Sequence, residues 1–140
     1  MQYKVFESSD LIDMENIGIG GRMPYDMGCL REFLHDSAAC GFLAKEGDTV
    51  VGFAYGYALL RPDGRTMFYL HSVDILPEYQ GNGYGIGLMN YIKGYARDKG
   101  FSEVFLIAEA DNAVACHVYE KTGGKRETED SALFVYDFGE

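Results

Sequence analysis

The segment Val73-Asp74-Ile75-Leu76-Pro77-Glu78-Tyr79-Gln80-Gly81-Asn82-Gly83-Tyr84-Gly85-Ile86-Gly87 passes from an apolar run through a proline into glycine at every second position. Read as strand, turn and helix, it leaves several backbone N–H groups without carbonyl partners at the positive end of a helix dipole. Glycine there keeps side chains out of the way, so a phosphate can approach those N–H groups. Two familiar nucleotide motifs are excluded by spacing: from Gly81 or Gly83 the last position of G-x-G-x-x-G falls on Ile86 or Leu88, and no Gly-Lys-Ser/Thr is present. No Lys or Arg occurs between Arg65 and Lys93. Phosphate binding must then rest mainly on backbone N–H groups, with Lys121 or Lys125 as candidate helpers across the cleft.

Groups able to move protons lie around and beyond this turn. Asp74, Glu109, Asp111 and Asp137 supply carboxylates and His71 an imidazole, each also readable as an exposed or hydrogen-bonded strand residue. His35 and His117 read as helix-surface residues. The three cysteines, Cys29, Cys40 and Cys116, form no C-x-x-C pair and meet no histidine at ligand spacing, so they read as reduced core thiols and no metal is expected.

The elements that must position these groups follow from periodicity and punctuation. Tyr3 to Glu7 reads as a strand; Ser8-Ser9-Asp10 then offers cap oxygens for a helix from Leu11 that is ended by Ile17-Gly18-Ile19-Gly20-Gly21. A second helix spans Tyr25 to His35. Strands at Cys40 to Lys45 and Thr49 to Leu60 flank a Glu46-Gly47-Asp48 turn, and Met67 to Leu76 is a long strand ended by Pro77. A helix from Ile86 to Lys99, a strand from Glu103 to Ala110, a helix from Asn112 to Thr122 and two closing strands, near Lys125 to Thr128 and Ala132 to Phe138 around a polar turn at Glu129 to Ser131, complete the order. This is mixed α/β with an antiparallel first half, one domain over residues 1–140.

Composition narrows the partners. The 140 residues carry 22 Asp+Glu against 12 Lys+Arg, a formal charge of -10, which disfavours unassisted nucleic-acid binding and suits a cationic partner. The start carries no signal-peptide pattern, and the longest apolar stretch, Val50 to Leu60, is broken by glycines and too short for a membrane span. A cytoplasmic protein with no membrane partner is expected.

The glycine turn resembles the pyrophosphate signature Q/R-x-x-G-x-G/A of the GCN5-related N-acetyltransferase (GNAT) superfamily, with Gln80, Gly83 and Gly85 in the matching positions. The preceding strand is similar to that family's L-A-V-x-P-x-Y run. Downstream, Asn112, Ala115, Tyr119, Lys121 and Gly123 look like its second coenzyme segment. The tail, Glu109-Ala110-Asp111 through Tyr119 to Leu133-Phe134-Val135-Tyr136-Asp137-Phe138, is most similar to the aminoglycoside 3-N-acetyltransferase type.

The resemblance implies a GNAT fold, a mostly antiparallel twisted sheet flanked by helices and splayed between strands 4 and 5. It also implies acetyl transfer from acetyl-CoA to a primary amine by direct attack in a ternary complex. Val73, Asp74 and Ile75, then Gln80, Gly81, Asn82, Gly83, Tyr84, Gly85 and Ile86, with Asn112 and Tyr119, would contact the coenzyme. Tyr119 would protonate the departing thiolate and Glu109 would take the amine proton. Glu109, Asp111, Asp137 and His71 would bind a small polycationic amine such as an aminoglycoside or polyamine. Enzymes of this kind often pair, which makes a homodimer the implied assembly. The chain departs from the type at two positions: Ser72 replaces an Asp, and Asp74 stands where a small residue is usual. Two alternatives stay open, acetylation of a protein, peptide or amino-acid amine, and a non-catalytic acyl-CoA-binding domain.

Overall fold

The structure, a computed structural model, describes residues 1–19, 25–128 and 130–139. Of the helix stop expected over Ile17 to Gly21, Gly20-Gly21 lie outside them, as does the turn residue Glu129, while Ile17 to Ile19 are still helical. In chain order the elements are β1 (Gln2–Val5), α1 (Leu11–Ile19), α2 (Met27–His35), β2 (Ala39–Glu46), β3 (Thr49–Leu60), β4 (Thr66–Ile75), α3 (Tyr84–Asp98), β5 (Glu103–Phe105) and α4 (Ala113–Lys121). They form a five-stranded sheet in the order β1-β2-β3-β4-β5. The first three pairings are antiparallel and β4 to β5 is parallel.

Alternation along β2 and β3 explains why both sheet faces are covered. Leu43 and Phe53 join Phe6, Met14, Leu30, Val50 and Leu76 in one core, packed by side chains of α1 and α2. Phe42 and Ala54 turn to the opposite face and pack with Phe68, Leu70 and the α3 residues Leu88, Met89 and Ile92. Phe42, Phe53 and Phe68 are each no more than 1% exposed, so the aromatic excess is spent mainly on these two layers.

Several boundaries differ from the sequence reading for local reasons. The turn Ser8–Asp10 is a 3-10 turn that runs straight into α1, and its cap comes from Asp10, whose Oδ2 accepts the Glu7 N–H at 2.9 Å, rather than from the serines. Asp10 is buried, and Lys4 Nζ reaches its other oxygen at 2.9 Å. α2 starts at Met27, not Tyr25, because Asp26 is the N-cap and accepts the Cys29 N–H.

The C-terminal half holds the larger corrections. β5 ends at Phe105 instead of Ala110, since its ladder with β4 stops at the Tyr69 and Phe105 pair. The strands expected at 125–128 and 132–138 do not form among the described residues. Leu133, Phe134, Val135, Tyr136 and Phe138 are 72–94% exposed. Their β-prone composition is not sufficient, because strand preference is realised only against a neighbouring strand and a packed face. The cysteines are free, and only Cys40 packs against a core; Cys29 is exposed on α2 and Cys116 is partly buried outside both core clusters.

Candidate active site

The site is set by a bulge in β4. Tyr55 pairs with Ser72 and Gly56 with Leu70, which leaves His71 as the extra residue. Before it, Phe68 and Leu70 face α3; after it, Val73 and Ile75 do. The bulge therefore turns Ser72 and Asp74 to the opposite face, where Tyr25 and Tyr55 lie. Gly56 makes the close crossing feasible, since a Cβ there would collide with the Tyr69 carbonyl oxygen and the Leu70 Cα.

Asp74 is the polar centre of this face. Its Oδ2 accepts the Tyr25 hydroxyl at 2.9 Å and the Ser72 hydroxyl at 3.1 Å. Burial first, then the Asp74 charge, push the Tyr25 phenol strongly upward. His71 is exposed beside Tyr55, with ring centroids 5.4 Å apart, and its Nδ1 meets the Tyr69 hydroxyl at 3.0 Å.

The edge of β4 facing away from β3 is open beyond Tyr69. Leu76 N–H donates to Val51 O on β3 at 2.8 Å, so by strand alternation the amide groups of Val73 and Ile75 point into the gap that opens toward β5. This is the splay. Gln80 Nε2 donates to the Ile75 carbonyl at 2.9 Å and Asn82 Nδ2 to Tyr79 O at 3.4 Å, so these two side chains brace the turn. Gly83, at φ 81°, is the N-cap of α3, a conformation that side-chain-bearing residues rarely adopt. A Cβ at Gly81 or Gly83 would meet nothing within 4 Å, so the space over the helix start is open. The first intrahelical bond comes from Gly87 N–H to Gly83 O at 3.0 Å. The preceding N–H groups, including those of Tyr84, Gly85 and Ile86, make up the free N-terminal set of a helix.

α4 closes the other wall. Gly85 faces Val118 at ordinary contact distance. Tyr119, one residue on, is partly buried; desolvation, then the charge of Asp74 and Cys116, raise its phenol above the usual 10. Tyr119 and Asp74 thus share one electrostatic neighbourhood across the splay. Asn112 Oδ1 accepts the Ala115 N–H at 3.1 Å, which makes Asn112 the N-cap of α4.

The remaining carboxylates are less well placed. Glu109 is exposed in the segment after β5, not at a strand end, and its backbone carbonyl is the group that accepts from Asn112 N–H and Cys116 Sγ. Asp111 is exposed before α4, and Asp137 accepts the Gly139 N–H within the exposed tail. No described contact brings Asp111 or Asp137 to β4.

A cavity of about 450 Å3, absent from the sequence reading, is lined in part by Tyr25, whose hydroxyl donates to Asp74. Its walls include Tyr25, Phe33, Tyr55 and Tyr57, and the exposed Asp26, Glu32 and Asp36 also line it. The signal that could have found it is period-two spacing: Phe53, Tyr55 and Tyr57 share one face of β3.

The splayed sheet and the glycine turn at the head of α3 define a protein of the GNAT fold. The acetyltransferase (GNAT) family model matches residues 9–124, and the chain belongs to that family. A mycothiol acetyltransferase of Saccharopolyspora erythraea is 36% identical over 91 residues, 65% of this chain and 29% of that protein. The chain thus spans under a third of that relative's length. An N-alpha-acetyltransferase 30 of Schizosaccharomyces pombe is 26% identical over 71% of this chain and 67% of its own. Among solved structures, an aminoglycoside acetyltransferase from an uncultured soil metagenomic sample, in complex with sisomicin, superposes with TM-score 0.83 at 20% identity, covering 99% of this chain and 96% of that one. Structural likeness at that identity carries the fold and not the acceptor; the 3-N type suggested by the tail is not among the names these relatives bear.

Proposed function

We propose that this protein is an N-acetyltransferase that moves an acetyl group from acetyl-CoA to a primary amine of a small polycationic acceptor, by direct attack in a ternary complex. The observation that carries this reading is the convergence on one splay of the open amide edge at Val73 and Ile75, the uncovered start of α3, and Tyr119 within electrostatic reach of Asp74.

The residues present fit acetyl-CoA. The space above Gly81 and Gly83 and the N–H groups of Tyr84 to Ile86 would hold its pyrophosphate without a basic side chain. The amide edge at Val73 and Ile75 would pair with its pantetheine and acyl groups, and the Val73 N–H would face charge developing on the acyl oxygen. When bound, the coenzyme supplies an activated acyl carbon and a thiol leaving group. Tyr119 keeps its proton throughout neutral pH because its phenol is raised, and so can donate to a thiolate whose thiol titrates near ~8.5.

A cationic acceptor is supported by the aromatic cavity beside Asp74 and its acidic lining. The likeness to an N-alpha-acetyltransferase favours a second reading, a peptide amine as acceptor. Thiol release from acetyl-CoA with aminoglycosides, polyamines and peptides separates the two. Polyamine and aminoglycoside turnover supports the first; turnover of peptides alone replaces it with the second.

A further inference from the structure

We propose that Asp74 is the residue that receives the acceptor's ammonium group and takes its proton, with Tyr25 and Ser72 as positioning residues that fix the carboxylate next to the wall of the aromatic cavity. The inference rests on the acetyl-transfer reading above and moves to Asp74 a role that the family resemblance implied for Glu109.

Three observations lead to it. Both hydrogen bonds to Asp74 land on Oδ2, so the carboxylate is oriented while Oδ1 has no partner among the described residues. Tyr25, which holds it, also lines the cavity, as do Phe53 and Tyr55, the register partners of Asp74 and Ser72. Tyr25 thus links the held carboxylate to the cavity wall. Finally, the His71 bulge is what aims Asp74 at this face; in unbroken alternation it would point at the α3 core.

The competing bases are worse placed. Among the described residues Glu109 has no hydrogen bond orienting its carboxylate, whereas Asp74, equally exposed, is held by two, and His71 already engages its Nδ1 with Tyr69. The ionisable groups around Asp74 are the phenols of Tyr25, Tyr55 and Tyr119 from three separate parts of the fold, with His71 nearby on β4. Among the described residues no lysine or arginine is paired with Asp74, so its charge is available to a ligand cation.

The proton balance is simple. The acceptor nitrogen loses two protons as its bond to the acetyl carbon forms and the carbon–sulfur bond breaks. One passes to Asp74 and on to solvent. The other balances the proton that Tyr119 gives to sulfur, so the products are amide, thiol and one released proton. A carboxylate suits the first transfer because it also holds the ammonium by charge before the transfer occurs.

The test compares wild type, Asp74→Asn and Glu109→Gln in thiol release from acetyl-CoA with spermidine and with sisomicin across roughly pH 6 to 10. Calorimetry with the same amines and coenzyme-free protein reads the pocket without turnover. Asp74→Asn should lower kcat/KM about 100-fold near neutral pH, with acetyl-CoA binding intact and the deficit shrinking as pH approaches the amine's own pKa, because free amine needs no base. Amine binding should weaken about tenfold or more. Ser72→Ala and Tyr25→Phe, which leave the carboxylate in place, should lower kcat with KM little changed. The proposal is overturned if Asp74→Asn stays within about threefold of wild type, or if Glu109→Gln shows the pH-dependent loss instead. If wild type releases no thiol with any amine, the acetyl-transfer reading fails, and calorimetry still decides Asp74: binding lost in Asp74→Asn supports the pocket, and equal binding overturns it.

Discussion

Tyr119 and Tyr25 show how one environment makes two phenols do different work. Both are raised mainly by burial and then by Asp74, but Tyr25 spends its proton on the Asp74 carboxylate while Tyr119 has no described hydrogen bond from its hydroxyl. Tyr119→Phe should therefore lower turnover by about 100-fold or more while leaving acetyl-CoA binding unchanged by calorimetry. The falling limb of kcat due to Tyr119 should lie above about pH 10, and a limb near pH 8 would remove it as the acid. Stability carries the same sign for both. Each holds its proton more tightly folded than unfolded, so their contribution is complete below the unfolded value of ~10 and is lost as pH rises through the folded one. Thermal melts should fall more steeply above pH 10 in wild type than in Tyr25→Phe. At this scale the sequence offered Tyr119 through its spacing from Asn112, and Asp74 as one of four candidate carboxylates and a departure from the resembled type. It could not offer Tyr25, whose partner lies 49 residues away.

Two glycines decide the elements that frame the site, and they do so differently. Gly83 has open space around it but a left-handed backbone, so Gly83→Val should cost about 1–2 kcal/mol through strain. It would also place a side chain over the start of α3, and coenzyme binding should be lost in a protein that still melts cooperatively. Gly56 is ordinary in conformation but crossed by β4, so Gly56→Ala should destabilise by about 1–3 kcal/mol through overpacking, read from denaturant midpoints. The helices and the first four strands were legible because their periodicity and punctuation agree, as at Pro77 and Gly100. The bulge at His71 was not, since one extra residue leaves an apolar run looking the same. Nor was the short β5: Phe105 stacks on Tyr69 at 5.1 Å, and beyond that pair the apolar residues that follow have no ladder to join.

The whole molecule must reconcile a formal charge of -10 with an anionic coenzyme. The proposed answer is a phosphate cradle made of backbone N–H groups, with the basic residues nearest to it in sequence at Arg65 and Lys93, and Lys93 Nζ donating to the Thr122 carbonyl. Coenzyme affinity should accordingly be modest and only weakly dependent on salt, since few side-chain charges are neutralised on binding. A tight, steeply salt-dependent calorimetric constant would contradict the backbone cradle. The same negative charge favours a cationic acceptor, and the acidic residues around the aromatic cavity place part of it where an amine would enter. Among the described residues no helix is long and apolar enough to cross a membrane. The central claim is transfer of an acetyl group to a cationic amine, and thiol release from acetyl-CoA measures it most directly. Release should require an added polyamine or aminoglycoside and collapse in Tyr119→Phe; coenzyme binding without release in the presence of any amine would contradict acetyl transfer.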